Sequence, residues 1–221
     1  MTLRKTSLSR NTSNAPCPRS FFERDTVVVA RELIGKTLMV GGPGGTTAGY
    51  VVETEAYLGL DDPASHAYRG PTRRNQVMFE ACGHLYVYLS YGVHHCVNTV
   101  ARPAGIAAGA VLLRAVHPVS GLRLMARRRG LSEDVPDDLA FDTPVPARWR
   151  VLTNGPGKLT QAMGIGPNHN GLELAVGEVS ILEGLQVAAK SIEVSMRIGI
   201  SQAVEEPYRF SLAGDPFVSR R

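Results

Sequence analysis

Cysteine is scarce in this 221-residue sequence, which holds only Cys17, Cys82 and Cys96. An odd, small number argues against a disulfide framework and fits a reducing compartment. No stretch approaches the roughly eighteen apolar residues that a membrane helix needs, so no membrane association is expected. Met1 to Pro18 lacks the apolar core of a secretory signal. Internal repeats and low-complexity linkers are also missing. A strong charge of either sign is absent: the net charge is +4, which permits a polyanionic partner without requiring one. Hydrophobic residues make up 43% and charged residues 20%, enough for a sizeable core and against disorder of the whole chain.

Two familiar ligand motifs are also lacking. Cys82-Gly-His84 and His94-His-Cys96 cluster in sequence but lack zinc-finger spacing. Adjacent strand positions would point them to opposite faces, so no metal is expected. Gly155-Pro-Gly-Lys158 resembles a phosphate loop, but Leu152 and Leu159 stand where glycine and Ser/Thr are needed. The segment reads instead as a helix start able to bind one phosphate.

What is present reads as one α+β domain, residues 20–221, built on a curved, mainly antiparallel sheet with flanking helices and a protruding β-hairpin. Residues 1–19 read as a flexible basic arm carrying Arg4, Lys5 and Arg10. Thr26 to Leu33 suits a helix capped by Thr26 and ended by Gly35. Lys36 to Val40 and Tyr50 to Leu58 suit strands joined through a glycine-rich turn. Gly59 to Arg74 is a polar loop. Leu85 to Ser90 and Val93 to Val100 suit strands meeting at Tyr91-Gly92. Ala108 to Val116 is an apolar strand, and Val119 to Arg129 has helical spacing. Leu131 to Arg150 is acidic and suits a long surface loop. Asn154 can cap a helix from Pro156 to Met163. Further strands are expected at Glu178 to Ile181 and Ile192 to Ile198.

Val51-Val-Glu-Thr-Glu-Ala-Tyr57 carries the most chemistry. As a strand it puts Val52, Thr54 and Ala56 on one face and Glu53, Glu55 and Tyr57 on the other. Two carboxylates and a phenol beside a polar loop suit acid/base work, although the same pattern also suits a solvent-facing strand edge. The loop adds His66, Arg69, Arg73, Arg74 and Asn75, a set compatible with a flat ligand on a phosphate chain. Tyr86 and Tyr88 share a strand face, so at least one should reach the core or a pocket. Tyr91 at a hairpin tip can wedge between stacked bases or fold back onto its own hairpin. Arg114 follows buried strand residues and needs a carboxylate partner, either Glu53 or Glu55.

These stretches resemble the alkyladenine DNA glycosylase family, the mammalian-type 3-methyladenine DNA glycosylases. The resemblance is carried by Val51-Val-Glu-Thr-Glu-Ala-Tyr-Leu-Gly59, His66, Arg74-Asn75, Leu85-Tyr-Val-Tyr88, Tyr91-Gly92, Asn98 and Val111-Leu-Leu-Arg-Ala115. It continues through Gly155-Pro156, Lys158-Leu159, Arg197-Ile-Gly199 and Arg209-Phe210, and spans Phe21 to Ser219. Val93 and His94 depart from the larger residues usual after the Tyr-Gly pair, and the loop from His66 to Asn75 is one residue shorter than in the mammalian form.

The resemblance implies a monofunctional hydrolase acting on double-stranded DNA as a monomer, without a cofactor. It would release alkylated or deaminated purines of the 3-methyladenine, 7-methylguanine, hypoxanthine and ethenoadenine type, starting base excision repair. Glu55 would activate water, with Arg114 and the Ile198 carbonyl holding it. Tyr57 would stack on one face of the flipped base, and His66 and Tyr88 on the other. Asn98 would line the pocket floor and Tyr91 would fill the gap in the duplex. Arg74 and Lys158 would touch phosphate. No lysine falls in the pocket motifs to form a Schiff base. A bacterial-type cytoplasm is the expected compartment, or a nucleus in a eukaryote. The rival reading is a non-catalytic damaged-DNA-binding protein, which would have no use for carboxylates in a DNA-facing pocket.

Overall fold

The computed structural model describes residues 9–10, 15–42, 44–174 and 177–219. The strands are β1 (Ser9–Arg10), β2 (Thr37–Val40), β3 (Thr47–Tyr57), β4 (Leu85–Ser90), β5 (His94–Val100), β6 (Ala110–Ser120), β7 (Val179–Leu182), β8 (Leu185–Gln186), β9 (Ile192–Ser195) and β10 (Arg209–Leu212). The α-helices are α1 (Arg19–Phe22), α2 (Thr26–Glu32), α3 (Leu122–Arg128) and α4 (Pro156–Met163). Eight strands form an open antiparallel sheet in the order β4-β5-β6-β3-β10-β9, with β2 beside the first half of β3 and β7 beside β2. The expected α+β class, antiparallel sheet and flanking helices are therefore present. No helix among the described residues is long and apolar enough to cross a membrane.

Strand β3 is the axis of the fold. It pairs with β6 along its length, with β2 through Thr47 to Tyr50 and with β10 through Glu53 to Glu55. This central position excludes the solvent-edge alternative: Val51 through Ala56 are all buried. On the helix side, Thr54 Oγ1 donates to the Ala30 carbonyl of α2 at 2.7 Å. The β3–β6 ladder is irregular. Glu53 pairs with Ala115 and Thr54 with Leu113, so Arg114 falls at a register shift. Such a bulge re-aims the extra side chain, and here it turns Arg114 onto the two glutamates. The chain then turns at Gly59, φ +72°, where an added Cβ would lie 2.1 Å from the Ala108 carbonyl oxygen. Only glycine allows so close an approach.

The β4–β5 hairpin closes on Tyr91 and Gly92 at φ +49° and +70°. Both φ values are positive at the centre of a turn that the Val93 amide closes on the Ser90 carbonyl at 3.0 Å, which suits the right-handed twist of hairpin strands. Tyr91 is 91% exposed, so it does not fold back onto its own hairpin.

Several boundaries differ from the sequence expectations. Asp25, not Thr26, caps α2, its carboxylate accepting from the Val27 and Val28 amides. Thr26 instead donates to the Ala101 carbonyl, a tertiary contact invisible to local pattern. Asn154 does not cap α4; Gly155 stands at the cap, and Asn154 Oδ1 accepts from Lys158 Nζ at 2.9 Å. The β6 strand continues to Ser120, so helix α3 begins only at Leu122. The strand expected to reach Ile198 stops at Ser195, freeing Arg197 and Ile198 for the site. Strands β1, β8 and β10 have no counterpart among the expected strands. Within the segment assigned to the arm, Pro16 bridges Leu182 and Cys17 lies in the core. Residues 1–8 and 11–14, with Arg4 and Lys5, lie outside the described residues.

Candidate active site

Residues of β3, β4, β5 and β6, of the first turn of α4 and of three loops, one of them the Tyr91-Gly92 tip, enclose a cavity of about 750 Å³. Tyr57, His66, Arg74, Tyr88, Tyr91, Asn98, Arg114 and Ile198 all line it. Glu55 is fully buried directly behind this wall, in contact with three of its members. Its Oε1 accepts from the Ile198 amide at 2.7 Å and lies 3.1 Å from Arg114 Nη1. Its Oε2 accepts from the Tyr57 hydroxyl at 2.8 Å. The Ile198 group that reaches Glu55 is the amide N–H, a different group from the carbonyl expected to hold water. A buried carboxylate needs donors, and a carbonyl oxygen facing it would repel it.

Glu53 anchors the layer beneath. It accepts from Arg114 Nε at 2.8 Å, from Arg209 Nε at 2.7 Å, and from the amide and hydroxyl of Ser219, each at 2.8 Å. Burial pushes its carboxyl up, but the two guanidinium groups and the Ser219 amide prevail and hold it below the ordinary carboxylate range. Arg114 therefore bridges both glutamates. Burial alone would favour its neutral form, yet Glu55 and Glu53 keep it more firmly protonated than a free arginine. Two carboxylates and two arginines (Glu53, Glu55, Arg114, Arg209) balance in charge, which is what allows four ionised groups so far from water.

The aromatic walls are also fixed. His66 Nδ1 shares a hydrogen bond with the Tyr86 hydroxyl at 2.9 Å. The His66 ring meets Tyr88 edge-on at 4.5 Å between centroids. Burial, then the nearby Arg74 cation, lowers the His66 pKa, so the ring is neutral at pH 7. Burial and the neighbouring Glu55 carboxylate raise the Tyr57 phenol far above its usual range, so it stays a donor. Arg74 donates to the Leu89 carbonyl at 2.9 Å and lies 5.4 Å from the Tyr88 ring centroid. Asn98 Nδ2 donates to the Tyr86 carbonyl at 3.0 Å, which fixes its amide on the pocket floor. A flat, neutral-to-cationic ring system would find stacking surfaces on these walls.

A family model described as methylpurine-DNA glycosylase matches residues 20–216. The chain belongs to the methylpurine-DNA glycosylase family. It is accordingly a DNA glycosylase, a hydrolase whose substrate is DNA. Similar proteins include one from Nitrosospira multiformis, 45% identical over 92% of this chain and 93% of its own length. Another, from Methanoculleus marisnigri, is 46% identical over 92% of this chain and 98% of its own. A third, from Agrobacterium fabrum, is 45% identical over 92% of both chains. Each is named, provisionally, a 3-methyladenine DNA glycosylase.

In this methylpurine-DNA glycosylase fold, one candidate stands apart from the cavity. Lys158 lies in the first turn of α4 and does not line the pocket, although its neighbour Pro156 does. The Arg127–Arg129 run is largely spent on structure. Arg128 donates to the carbonyls of Ala162 and Met163 at the end of α4, and Arg129 to Gln161 and the Val151 carbonyl. Among the described residues, no group of three or more His, Cys, Asp and Glu is placed to hold a metal ion. Sequence reasoning underrated Glu53, Asp62, Arg197, Arg209 and Ser219. Arg197 and Arg209 were visible as matched motif positions, but Asp62 and Ser219 carried no signal of their own.

Proposed function

We propose that this protein removes alkylated or deaminated purines, of the 3-methyladenine, 7-methylguanine, hypoxanthine and ethenoadenine type, from double-stranded DNA. The target nucleotide is flipped into the cavity, and a water activated by Glu55 hydrolyses its N-glycosidic bond. The observation that carries this reading is the environment of Glu55: a buried carboxylate, charged-balanced by Arg114 and touching the cavity wall. Bond cleavage builds positive charge on the sugar, and a carboxylate both stabilises that charge and takes a proton from the incoming water. Oε2, which accepts only from Tyr57 among the described residues, keeps lone-pair capacity for that water. Tyr57 takes one face of the base and His66 with Tyr88 the other. Tyr91, at the hairpin tip, occupies the volume the base vacates, while Arg74 and Lys158 meet phosphate. A pure damaged-DNA binder gains nothing from a carboxylate behind its binding pocket.

Glu55→Gln keeps the side-chain shape and an acceptor for the Ile198 amide, and Arg114 retains Glu53. Single-turnover base release from alkylated duplex should fall by about 10²–10⁴-fold, the usual worth of a general base. Affinity for the damaged duplex should stay within a few-fold. Excision within about tenfold of wild type overturns the assignment.

A further inference from the structure

Besides the Tyr91-Gly92 tip, two separate loops line the cavity. One follows β3 and supplies Pro63, Ala64 and His66; the other follows β9 and supplies Ile198 through Gln202. Neither loop is part of the sheet, yet between them they hold the aromatic wall and the amide that meets Glu55. A buried ion pair joins them. Arg197 binds Asp62 through both terminal nitrogens, one of these contacts at 2.9 Å, and the two side chains are 0% and 3% exposed.

Each partner is held in turn. Asp62 also accepts from the Leu58 amide at 3.1 Å and the Ala64 amide at 3.0 Å. Arg197 donates to the carbonyls of Ala56 at 3.0 Å and Ala203 at 3.4 Å. Its guanidinium lies 4.7 Å from the Tyr57 ring centroid and does not itself line the cavity. Arg197 therefore backs Tyr57 from behind and is bonded next to the residue whose amide meets Glu55. Both Ile198 N–H and Tyr57 O–H, two of the three donors to Glu55, depend on where Arg197 sits.

We propose that the Arg197–Asp62 pair is a positioning unit for the hydrolysis, a clasp that sets the Glu55 carboxylate by fixing Tyr57 and the Ile198 amide from outside the cavity. It rests on Glu55 being the base. The clasp touches neither DNA nor the reacting atoms, so its loss acts on the chemical step and not on duplex affinity. A fork with two parallel N–H donors is required, because it must also reach the Ala56 carbonyl; a lysine at position 197 supplies a charge but no fork.

A readout separates positioning from mere stability. The charged and titratable groups facing Glu55 are Tyr57 on its own strand, Arg114 on β6, Cys96 on β5 and Arg197 on the second loop, with Glu53 and Arg209 one layer below. Releasing the clasp removes donors from the carboxylate and leaves Arg114 in place. The ionised form is then less favoured, and the acidic limb of the pH–rate profile moves to higher pH. A variant that is only less stable keeps the wild-type limb.

The test is single-turnover excision across pH for wild type, Asp62→Asn, Arg197→Lys and Glu55→Gln, each well below its melting midpoint, with duplex affinity measured in parallel. Excision by Asp62→Asn and Arg197→Lys should slow by about tenfold or more, with a raised acidic limb and affinity within about twofold. If Asp62→Asn does not fold, Arg197→Lys decides, since it keeps a cation opposite Asp62. A wild-type acidic limb and rate in a folded clasp variant, alongside an inactive Glu55→Gln, overturns the clasp alone. An active Glu55→Gln overturns the reading of Glu55 on which the clasp depends.

Discussion

The Tyr57 hydroxyl donates to Glu55 Oε2 at 2.8 Å, although the two residues are neighbours on one face of the same strand. One ring thus serves two purposes. Its face lines the cavity and its edge holds the carboxylate. Tyr57→Phe separates them, because the ring stays over Arg197 while the donor is lost. A hydrogen bond to a charged acceptor is worth about 1.5–3 kcal/mol, which corresponds to roughly ten- to a hundredfold in rate. Single-turnover excision should slow by that amount, with lesion affinity nearly unchanged. An unchanged rate would show that the hydroxyl does not help to hold Glu55 for the reaction.

Tyr91 combines 91% exposure with φ +49°, a region costly for a residue with a Cβ. Such strain at a tip is consistent with a functional demand on the side chain. Tyr91→Gly relieves it at some entropic cost, so stability should stay within about 1 kcal/mol of wild type. Base flipping, followed by a fluorescent analogue that brightens when unstacked, should fall sharply. Normal flipping in this variant would rule out the wedge.

Glu53 ties acid sensitivity to the core. Its folded carboxyl titrates below 4.5, the ordinary carboxylate value. Its stabilising contribution is therefore fully present above the unfolded value and is lost as pH falls through the folded one. Glu53→Gln leaves Arg114 and Arg209 short of a counter-charge and should cost about 3–5 kcal/mol at neutral pH. The variant should also lose part of the wild type's stability drop below pH 4.5. Denaturant unfolding at several pH values measures both effects; equal acid sensitivity in the two proteins contradicts the assignment.

His66 titrates below 6.5 through burial and the Arg74 cation. The unfolded chain takes up this proton first, so the contribution of His66 falls as pH drops below that value and levels off beneath the folded pKa. Arg74→Gln removes one of the two causes. The His66 midpoint, followed by imidazole NMR, should rise in this variant yet remain under 6.5, because burial persists. No change would mean that Arg74 does not act on the ring.

Much of the site was legible because it lies on regular strands. Alternation along Val51 to Tyr57 placed Glu53, Glu55 and Tyr57 together, and Arg114 was recognisable as a charge in need of a carboxylate. Ordered motif matches supplied His66, Tyr88, Asn98 and Ile198. What stayed hidden depends on long-range contact. Asp62 meets Arg197 across 135 residues, and Ser219 meets Glu53 across 166. Neither pairing has a period or a local spacing. The register shift that turns Arg114 inward is a property of the β3–β6 ladder and not of either strand alone. Helix caps failed for the same reason: Thr26 looked like a local cap but was recruited by Ala101.

The reach of Glu53 sets a timetable for biosynthesis. Two of its partners, Arg209 and Ser219, follow it by 156 and 166 residues. A ribosome that has already extruded β3, with its glutamates, must add 156 further residues before the Arg209 counter-charge exists. During that interval the nascent chain has strong reason to keep these carboxylates in water and the sheet unclosed. The charge-balanced cluster around Glu53 is thus completed only once β10 has emerged, and a nascent chain cut short before Arg209 lacks it.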